Sequence, residues 1–366
     1  MKLSAISYQL LARKHELAAA NYTVSPFSPF FSCPGSAWAC KVKPLSPFHV
    51  QAEPGREAEK TDDGDEKLIP NPQSPIPIRL IVNPTSGKGR GARVAEQASH
   101  WLRGHGLENE VRFSRSPADP TELACAAVRD GCRLVVGVGG DGLISQVANE
   151  LVGTDVTFGL IPAGVGNDFA RGLHLPLDVE GACRVLLHGE VRKIDVGQVN
   201  DRYFFSVAVL GFGAEVNRRA NRFRRFRINA LYTLVTVATI FSYDPLPFSV
   251  TYDGRERRCL SWMIAVGNTW SSARGMALVP AARPDDGVLD ACIINGMGKW
   301  ELLYTFPRVF KGRHIYSTGI DTIRGKEMTI AADGPCEIYA DGERIGSLPV
   351  TFKAVPEALR VMVPKQ

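Results

Sequence analysis

Leu134-Val135-Val136-Gly137-Val138-Gly139-Gly140-Asp141-Gly142 is a β-branched run that empties into a glycine cluster holding one carboxylate. A second apolar run, Phe158-Gly159-Leu160-Ile161-Pro162, empties in turn into Gly164-Val165-Gly166-Asn167-Asp168-Phe169-Ala170-Arg171, which begins 22 residues after Gly142. Two strands ending side by side in glycine loops make a surface where backbone N–H groups approach phosphate oxygens without side-chain obstruction. A carboxylate at that edge suits a Mg²⁺ ion escorting the phosphates. The pair predicts a nucleotide-phosphate site.

Two generic motifs do not account for it. Gly137, Gly139 and Gly142 satisfy G-x-G-x-x-G, but a dinucleotide fold also asks for an acidic residue about 20 positions on. The chain has Ile161-Pro162-Ala163 there, and no G-x-x-x-x-G-K-[ST] P-loop anywhere.

Outward from the glycine loops the pattern is β-α-β. Arg79–Val82, Asn109–Phe113 and Leu134–Val138 read as strands, and Ala92–Arg103, Pro120–Arg129 and Leu143–Val152 as helices. This alternation predicts a parallel, doubly wound sheet with its ligand at the strand C-termini. After about Val191 the texture becomes β-rich. Asp195–Val199, Tyr203–Val209, Phe248–Tyr252, Trp262–Val266, Leu289–Ile294, Met328–Ile330 and Cys336–Tyr339 read as strands, with Asp-Gly turns at 253, 286, 333 and 341. An α/β nucleotide-binding domain over 76–190 is therefore expected to precede a mainly antiparallel β-sandwich over 191–354, with the active site in the cleft between them. Residues 1–75, with Pro, Ser and Phe clusters and a charged run from Glu53 to Lys67, cannot bury a core and are expected to be a disordered extension. Leu3–Ala19 is the one candidate helix within it.

Bulk composition narrows the partners. Apolar residues make up 45% and charged residues 22%, with a formal charge of +5 and no nucleic-acid reader motif, so no nucleic acid is expected. Eight cysteines (33, 40, 125, 132, 183, 259, 292 and 336) lack C-x-x-C spacing, which fits free thiols in a reducing compartment. No apolar run reaches the roughly 18 residues a spanning helix requires, and Arg13, Lys14, His15 and Glu16 interrupt any secretory signal.

The ordered set of Asn83-Pro84-Thr85-Ser86-Gly87-Lys88-Gly89, Gly139-Gly140-Asp141-Gly142, Gly164 to Arg171 and Pro284-Asp285-Asp286-Gly287-Val288-Leu289-Asp290 resembles the diacylglycerol kinase catalytic family. That family includes bacterial lipid kinases and the sphingosine and ceramide kinases. The resemblance runs from about Ile78 to the C-terminus. It implies ATP as co-substrate, Mg²⁺, and a lipid substrate met at a membrane surface by a cytoplasmic, peripherally associated protein; a homodimer is compatible with it. It also implies that the C-terminal strand, here Leu359–Val363 within 355–366, crosses back to complete the first domain.

Residue by residue, the resemblance assigns Asn83, Thr85, Ser86 and Gly87 to nucleotide binding, with Ser114 at a position where relatives often place Thr. Gly139, Gly140, Gly142, Gly164 and Gly166 supply the backbone of the phosphate loops. Asp141 is assigned to the phosphates through Mg²⁺; read locally, it is an aspartate capping the helix that begins near Leu143. Asn167 and Asp168 are equally nucleotide contacts or helix caps. The base that accepts the hydroxyl proton falls on Asp341-Gly342-Glu343, with Glu343 first and Asp341 second; read alone, Asp-Gly there is a hairpin turn. Asp286, with the backbone carbonyls of Arg283 and Val288, matches the family's structural Mg²⁺ loop. Finally, Arg218, Arg219, Arg222, Arg224, Arg225 and Arg227 precede the apolar Ile228–Tyr243, which suits either an interfacial enzyme on an anionic membrane or a buried helix with a solvated basic face.

The chain departs from the family at two expected hydroxyl positions, occupied by Leu143 and Val165. Each lost hydrogen bond weakens nucleotide binding by about 1 kcal/mol. The expected activity is transfer of phosphate from ATP to a lipid hydroxyl, that of diacylglycerol first. An NAD-kinase-like phosphotransferase and a lipid-binding pseudokinase are the alternatives.

Overall fold

Ile78–Val82 (β1) is five consecutive buried residues, as expected of a parallel strand covered on both faces. The computed structural model describes residues 78–222 and 229–365. The expectations for residues 1–75, Cys33, Cys40, Arg224, Arg225, Arg227 and Ile228 lie outside the described residues. From β1 the chain runs through α1 (Gly91–Gly104), β2 (Asn109–Phe113), α2 (Asp119–Arg129), β3 (Leu134–Gly139), α3 (Asp141–Leu151), β4 (Thr157–Pro162), α4 (Asp168–Gly172) and α5 (Val179–His188). The strands lie parallel in the order β2-β1-β3-β4. α1 packs with α5, and α2 with α3; right-handed crossovers put the two pairs on opposite faces. The chain leaves β1 toward one edge and β3 toward the other. The crevice between their C-terminal ends is therefore the topological switch point, where such sheets bind ligands.

The second lobe begins with β5 (Glu190–Val199), β6 (Arg202–Phe204) and β7 (Val207–Gly211), followed by α6 (Phe212–Arg222) and α7 (Asn229–Ser242). Then come β8 (Leu246–Tyr252), β9 (Arg255–Gly267), the small hairpin β10 (Ser271–Ser272) and β11 (Met276–Ala277), β12 (Leu289–Asn295) and α8 (Lys299–Thr305). Two 3₁₀ turns, Phe306–Lys311 and Arg313–Tyr316, lead to β13 (Ile320–Gly325), β14 (Glu327–Ala332), β15 (Glu337–Ala340), β16 (Glu343–Ser347) and β17 (Val350–Val363). The sheet is antiparallel throughout this lobe. The alternating side chains of β7 serve two cores. Ala208 and Leu210 pack among the strands, while Val207 and Val209 pack under α6, α7 and α8.

β17 joins the lobes. Its first half pairs with β14 and β5, its second half with β5, and Val361 pairs in parallel with Phe158 of β4. A register shift between Val355 and Leu359 lets it turn from one lobe to the other, with Glu357 at φ 50°. The expected single strand Tyr203–Val209 is instead two, separated at Phe205–Ser206. The cause is chemical. The N–H groups of Phe205 and Ser206 donate to the carboxylate of Asp341, at 2.9 and 2.8 Å, rather than to a neighbouring strand.

Leu359 is fully buried in the first lobe's core. Replacing it with Ala is expected to cost about 2–5 kcal/mol while unfolding stays a single transition, because the strand belongs to both lobes. Denaturant titration followed separately by far-ultraviolet circular dichroism and tryptophan fluorescence checks this; two transitions would show that the lobes unfold independently.

Candidate active site

Three loops meet at the switch point. After β1, Asn83 Oδ1 accepts from the backbone N–H and the hydroxyl of Thr85, at 3.0 and 2.8 Å, closing an Asx turn. Gly87 and Lys88 follow in the left-handed region, with φ 57° and 67°. A Cβ on Gly87 would meet the Ala163 carbonyl oxygen at 2.2 Å, so this loop lies against the one after β4. Gly140 and Gly164 touch backbone to backbone, and a Cβ on Gly164 would lie 2.5 Å from the Gly140 Cα. Ser114 sits beyond β2 with its N–H donating to Val82, and is buried.

The N-terminus of α3 carries no side-chain cap; Gly140, in extended conformation, precedes it. Its first backbone N–H groups and helix dipole are therefore available to an anion. Asp141, the first residue of α3, does not cap its own helix. Its Oδ2 accepts from Asn167 N–H at 2.8 Å, and its Oδ1 from Asp168 and Phe169 N–H at 2.6 and 3.4 Å, so it caps α4 across the crevice. The local alternative of a cap for the helix starting near Leu143 is thereby corrected, and one acceptor position of the carboxylate remains of about four. Asn167, at φ 54°, turns its own Oδ1 back to the Gly164 N–H at 2.9 Å.

Asp168 continues the relay. It accepts from the Ser271 hydroxyl and from the Arg274 and Gly275 N–H groups, at 2.8, 3.0 and 2.8 Å, which fixes the β10–β11 hairpin beside the glycine loops. In the sequence Asp168 reads equally as a cap or a nucleotide contact, and Ser271 carries no local signal at all.

The Asp341-Gly342 pair makes the two-residue turn between β15 and β16, with φ 49° and 83°. The turn geometry and the carboxylate placement thus coexist. Asp341 reaches inward to Phe205 and Ser206, whereas Glu343 reaches the glycine loop at Gly142. A Cβ on Gly142 would lie 3.6 Å from Glu343 Oε1. Loss of solvation, then the charge of Asp168, pushes the Asp141 carboxyl up to about 6 against the pull of its backbone donors. Burial likewise pushes Asp341 up to about 6, with Asp141 adding repulsion and the Phe205 and Ser206 bonds opposing.

The two residues that replace expected hydroxyls behave differently. Leu143 is buried, and a Cβ on Gly139 would meet its side chain at 3.1 Å; it faces the core. Val165 is exposed on the second glycine loop.

The Pro284–Asp290 loop lies on other supports. Asp195 donates its N–H to the Pro284 carbonyl at 2.6 Å, and its carboxylate accepts from Gly287 and Glu357 N–H at 2.6 and 2.9 Å. Asp286 accepts from Val288 N–H at 3.3 Å and pairs with Arg324 at 3.2 Å; Arg324 also holds Asp290. Burial raises the Asp286 carboxyl. Arg283 is turned to Asp285. A guanidinium therefore stands at Asp286, where the resemblance implies a metal ion.

In the second lobe, an apolar cavity lies between the sheet and the helices, lined by Phe212, Val216, Ile240, Met263, Leu302 and Val309 among others. Ser272, Ala273 and Met276 also line it. The hairpin that carries them is the one Asp168 holds. The basic cluster is partly accounted for, since Arg218 and Arg219 both bind Glu215, and Arg219 also reaches the Ser242 hydroxyl at 2.6 Å. Among the described residues no helix is long and apolar enough to cross a membrane.

Comparison with known proteins agrees with this architecture. The diacylglycerol kinase catalytic domain family matches residues 77–199, and the YegS C-terminal NAD kinase beta sandwich-like domain matches residues 206–363. The diacylglycerol kinase of Mycobacterium tuberculosis is 34% identical over 295 residues, 79% of this chain and 95% of its own length. That of Staphylococcus carnosus is 28% identical over 290 residues, 78% of this chain and 95% of its own. The crystal structure of a diacylglycerol kinase from Bacillus anthracis superposes with a TM-score of 0.62 at 20% identity, covering 79% of this chain and 97% of that one.

Two outcomes follow from this geometry. Val165→Thr is expected to gain about 0.5–1.5 kcal/mol of nucleotide affinity, read by calorimetric titration, whereas Leu143→Thr is expected to lose about 2–5 kcal/mol of stability because its side chain is packed inside. The second concerns pH. With Asp341 at about 6 in the fold and 3.8 as its ordinary value, the folded state holds a proton that the unfolded chain has released, so stability falls as pH rises through this window. Asp341→Asn removes that proton and relieves Asp141. It is expected to flatten the fall by up to about 1.4 kcal/mol per pH unit; parallel stability curves for the two proteins would show an ordinary Asp341.

Proposed function

Since this chain belongs to the bacterial-type diacylglycerol kinase family of lipid kinases, we propose that it transfers the γ-phosphoryl group of ATP to the free hydroxyl of diacylglycerol, forming phosphatidic acid. The observation that carries this is Glu343 placed over Gly142, at the uncapped N-terminus of α3. A base and an anion site face each other across the crevice between the lobes. The hydroxyl oxygen attacks the γ-phosphorus, its proton passes to the Glu343 carboxylate, and the bond from the γ-phosphorus to the bridging oxygen breaks to release ADP. Gly139, Gly140, Gly142, Gly164 and Gly166 bring backbone close to the phosphates; Asn83, Thr85, Ser86, Gly87, Ser114 and Asn167 shape the adjoining walls. Asp341 is a positioning residue, because its carboxylate is occupied by Phe205 and Ser206.

The residues fit Mg²⁺ in one place. Asp141 retains an acceptor position beside the phosphate loops, and the ion, when bound, neutralises phosphate charge. Among the described residues no group of three or more His, Cys, Asp or Glu side chains is placed to hold a metal, so an ion there would depend on ligands from outside the protein as well as on Asp141. A structural ion on Asp286, with the carbonyls of Arg283 and Val288, would have to displace Arg324, and no step is placed on it.

The apolar cavity supports a substrate with acyl chains and disfavours a water-soluble one of the NAD-kinase kind. We place the protein at the cytoplasmic face of a membrane, associated peripherally. Glu343→Gln is expected to lower turnover by about 10²–10⁴-fold with unchanged thermal unfolding. Transfer of labelled phosphate to a lipid panel in mixed micelles, with Mg²⁺ and with EDTA, measures it. Unchanged turnover would remove Glu343 from the mechanism; vesicle binding without any transfer by the parent protein would favour the pseudokinase.

A further inference from the structure

The segment Lys299–Tyr316, comprising α8 and the two 3₁₀ turns, has two unlike faces. Leu302, Thr305, Phe306, Val309 and His314 turn inward and line the apolar cavity. Trp300, Tyr304, Phe310 and Tyr316 turn outward, with 74%, 71%, 55% and 84% of their surfaces exposed. Large aromatics are rarely left in water at such density without a partner.

These outward side chains form one patch. Trp300 and Tyr304, four apart on α8, share a face. The Phe241 ring of α7, itself exposed, meets Trp300 edge-on at 5.4 Å. The Arg308 guanidinium lies 5.1 Å above the Tyr304 ring and donates to the Ser317 hydroxyl at 3.1 Å, beside Tyr316. Phe310 packs edge-on against Phe306, at 6.1 Å, on the cavity wall. Leu234 of α7 is exposed as well.

Charge identifies the occupant. The segment has four Lys or Arg residues (Lys299, Arg308, Lys311 and Arg313) against one acidic residue, Glu301. Arg308, Lys311 and Arg313 are exposed among the aromatics. Trp and Tyr with an apolar body and a polar edge, interleaved with cations, match the boundary between acyl chains and anionic headgroups. A protein partner of ordinary kind would call for fewer cations on this face. The inner side of the same short segment is the wall of a cavity suited to acyl chains, so a bilayer on the outer side would put its hydrocarbon next to that cavity.

We propose that the outer face of Lys299–Tyr316, with Phe241 and Leu234 of α7, seats the protein on an anionic bilayer and aligns the cavity with the lipid. The surface deepens the lipid kinase reading and rests on it only for its purpose. None of Trp300, Tyr304, Phe310 and Tyr316 lines the cavity, so their loss leaves it intact.

The test is flotation of the full chain with phosphatidylcholine vesicles, with and without phosphatidylglycerol. The parent is expected to float with the anionic vesicles. The combined exchange Trp300→Ser, Tyr304→Ser, Phe310→Ser and Tyr316→Ser is expected to lower that binding about tenfold or more, and Arg308→Glu with Lys311→Glu and Arg313→Glu to abolish the preference for phosphatidylglycerol. Turnover of a short-chain diacylglycerol that is monomeric in solution should be unchanged in both. Equal flotation of parent and aromatic variant overturns the proposal. So does a variant that still floats but changes from dimer to monomer in sedimentation, which gives the face to a second copy of the chain. Loss of flotation by the variant, in a protein that phosphorylates no diacylglycerol, upholds the docking surface and removes the kinase reading instead. The conservative Trp300→Phe guards against misfolding. Quenching of tryptophan fluorescence by brominated lipid should fall in that variant, and undiminished quenching again overturns the proposal.

Discussion

A carboxylate that accepts backbone N–H groups from a different loop is the device on which this structure depends. Asp141 binds the start of α4, and Asp168 at that start binds the β10–β11 hairpin. Asp341 binds the break between β6 and β7, and Asp195 binds both the Gly287 loop and the β17 bulge. Each of these segments adds polar anchoring to an apolar hold of its own, as at Phe169, Phe205 and Met276. Each gains charge-assisted bonds of about 1.5–3 kcal/mol, set against the cost of taking a carboxylate out of water. The balance is close, and this is why Asp141 and Asp341 hold their protons to about 6. Asn149 adds a neutral version, its amide pairing with both backbone groups of Tyr203 at 3.0 and 3.1 Å.

The same device explains how two lobes share one site. Glycines allow the backbones of the first two loops to touch, and a carboxylate then bridges what glycine cannot. Gly140 and Gly164 could be brought together by packing alone. The second lobe is held to them by Asp168 and Asn149, so the crevice is defined by polar bonds on one side and by sheet pairing through β17 on the other. Glu343 arrives at Gly142 because Asp341, two residues earlier, is anchored.

Much of this was legible in the sequence where the signal was local. The parallel strands were clear from apolar runs, and Asn109–Phe113 was delimited as found. The glycine loops announced themselves by composition. What escaped was what depends on distant partners. Tyr203–Val209 reads as one strand, and nothing nearby says that Asp341, 136 residues from Phe205, will interrupt it. Ile320–Gly325 and Glu343–Ser347 carry too many polar residues to be recognised before their neighbours are known. By its place after Gly142, Leu143 reads as a lost phosphate contact, yet the helix turns it inward against Gly139. The aromatic face of Lys299–Tyr316 is invisible in one dimension, because inward and outward residues alternate in a segment that is half helix and half 3₁₀ turn.

The cavity has one wall that is hard to move and one that is easy. Ser272, Ala273 and Met276 belong to the hairpin held by three bonds to a carboxylate. Opening it would break those bonds and pull on α4, and so disturb the second glycine loop. Leu302, Phe306 and Val309 belong to a short helix and a 3₁₀ turn whose hold on the lobe is chiefly apolar. Apolar contact is non-directional, and a bilayer can substitute for it at little cost. On the lipid kinase reading an acyl chain would meet least resistance from the side of Lys299–Tyr316, while the hairpin stays fixed to the carboxylate of Asp168. Rigid chemistry at one end and a pliable wall at the other follow from the same contrast between directional and non-directional bonds.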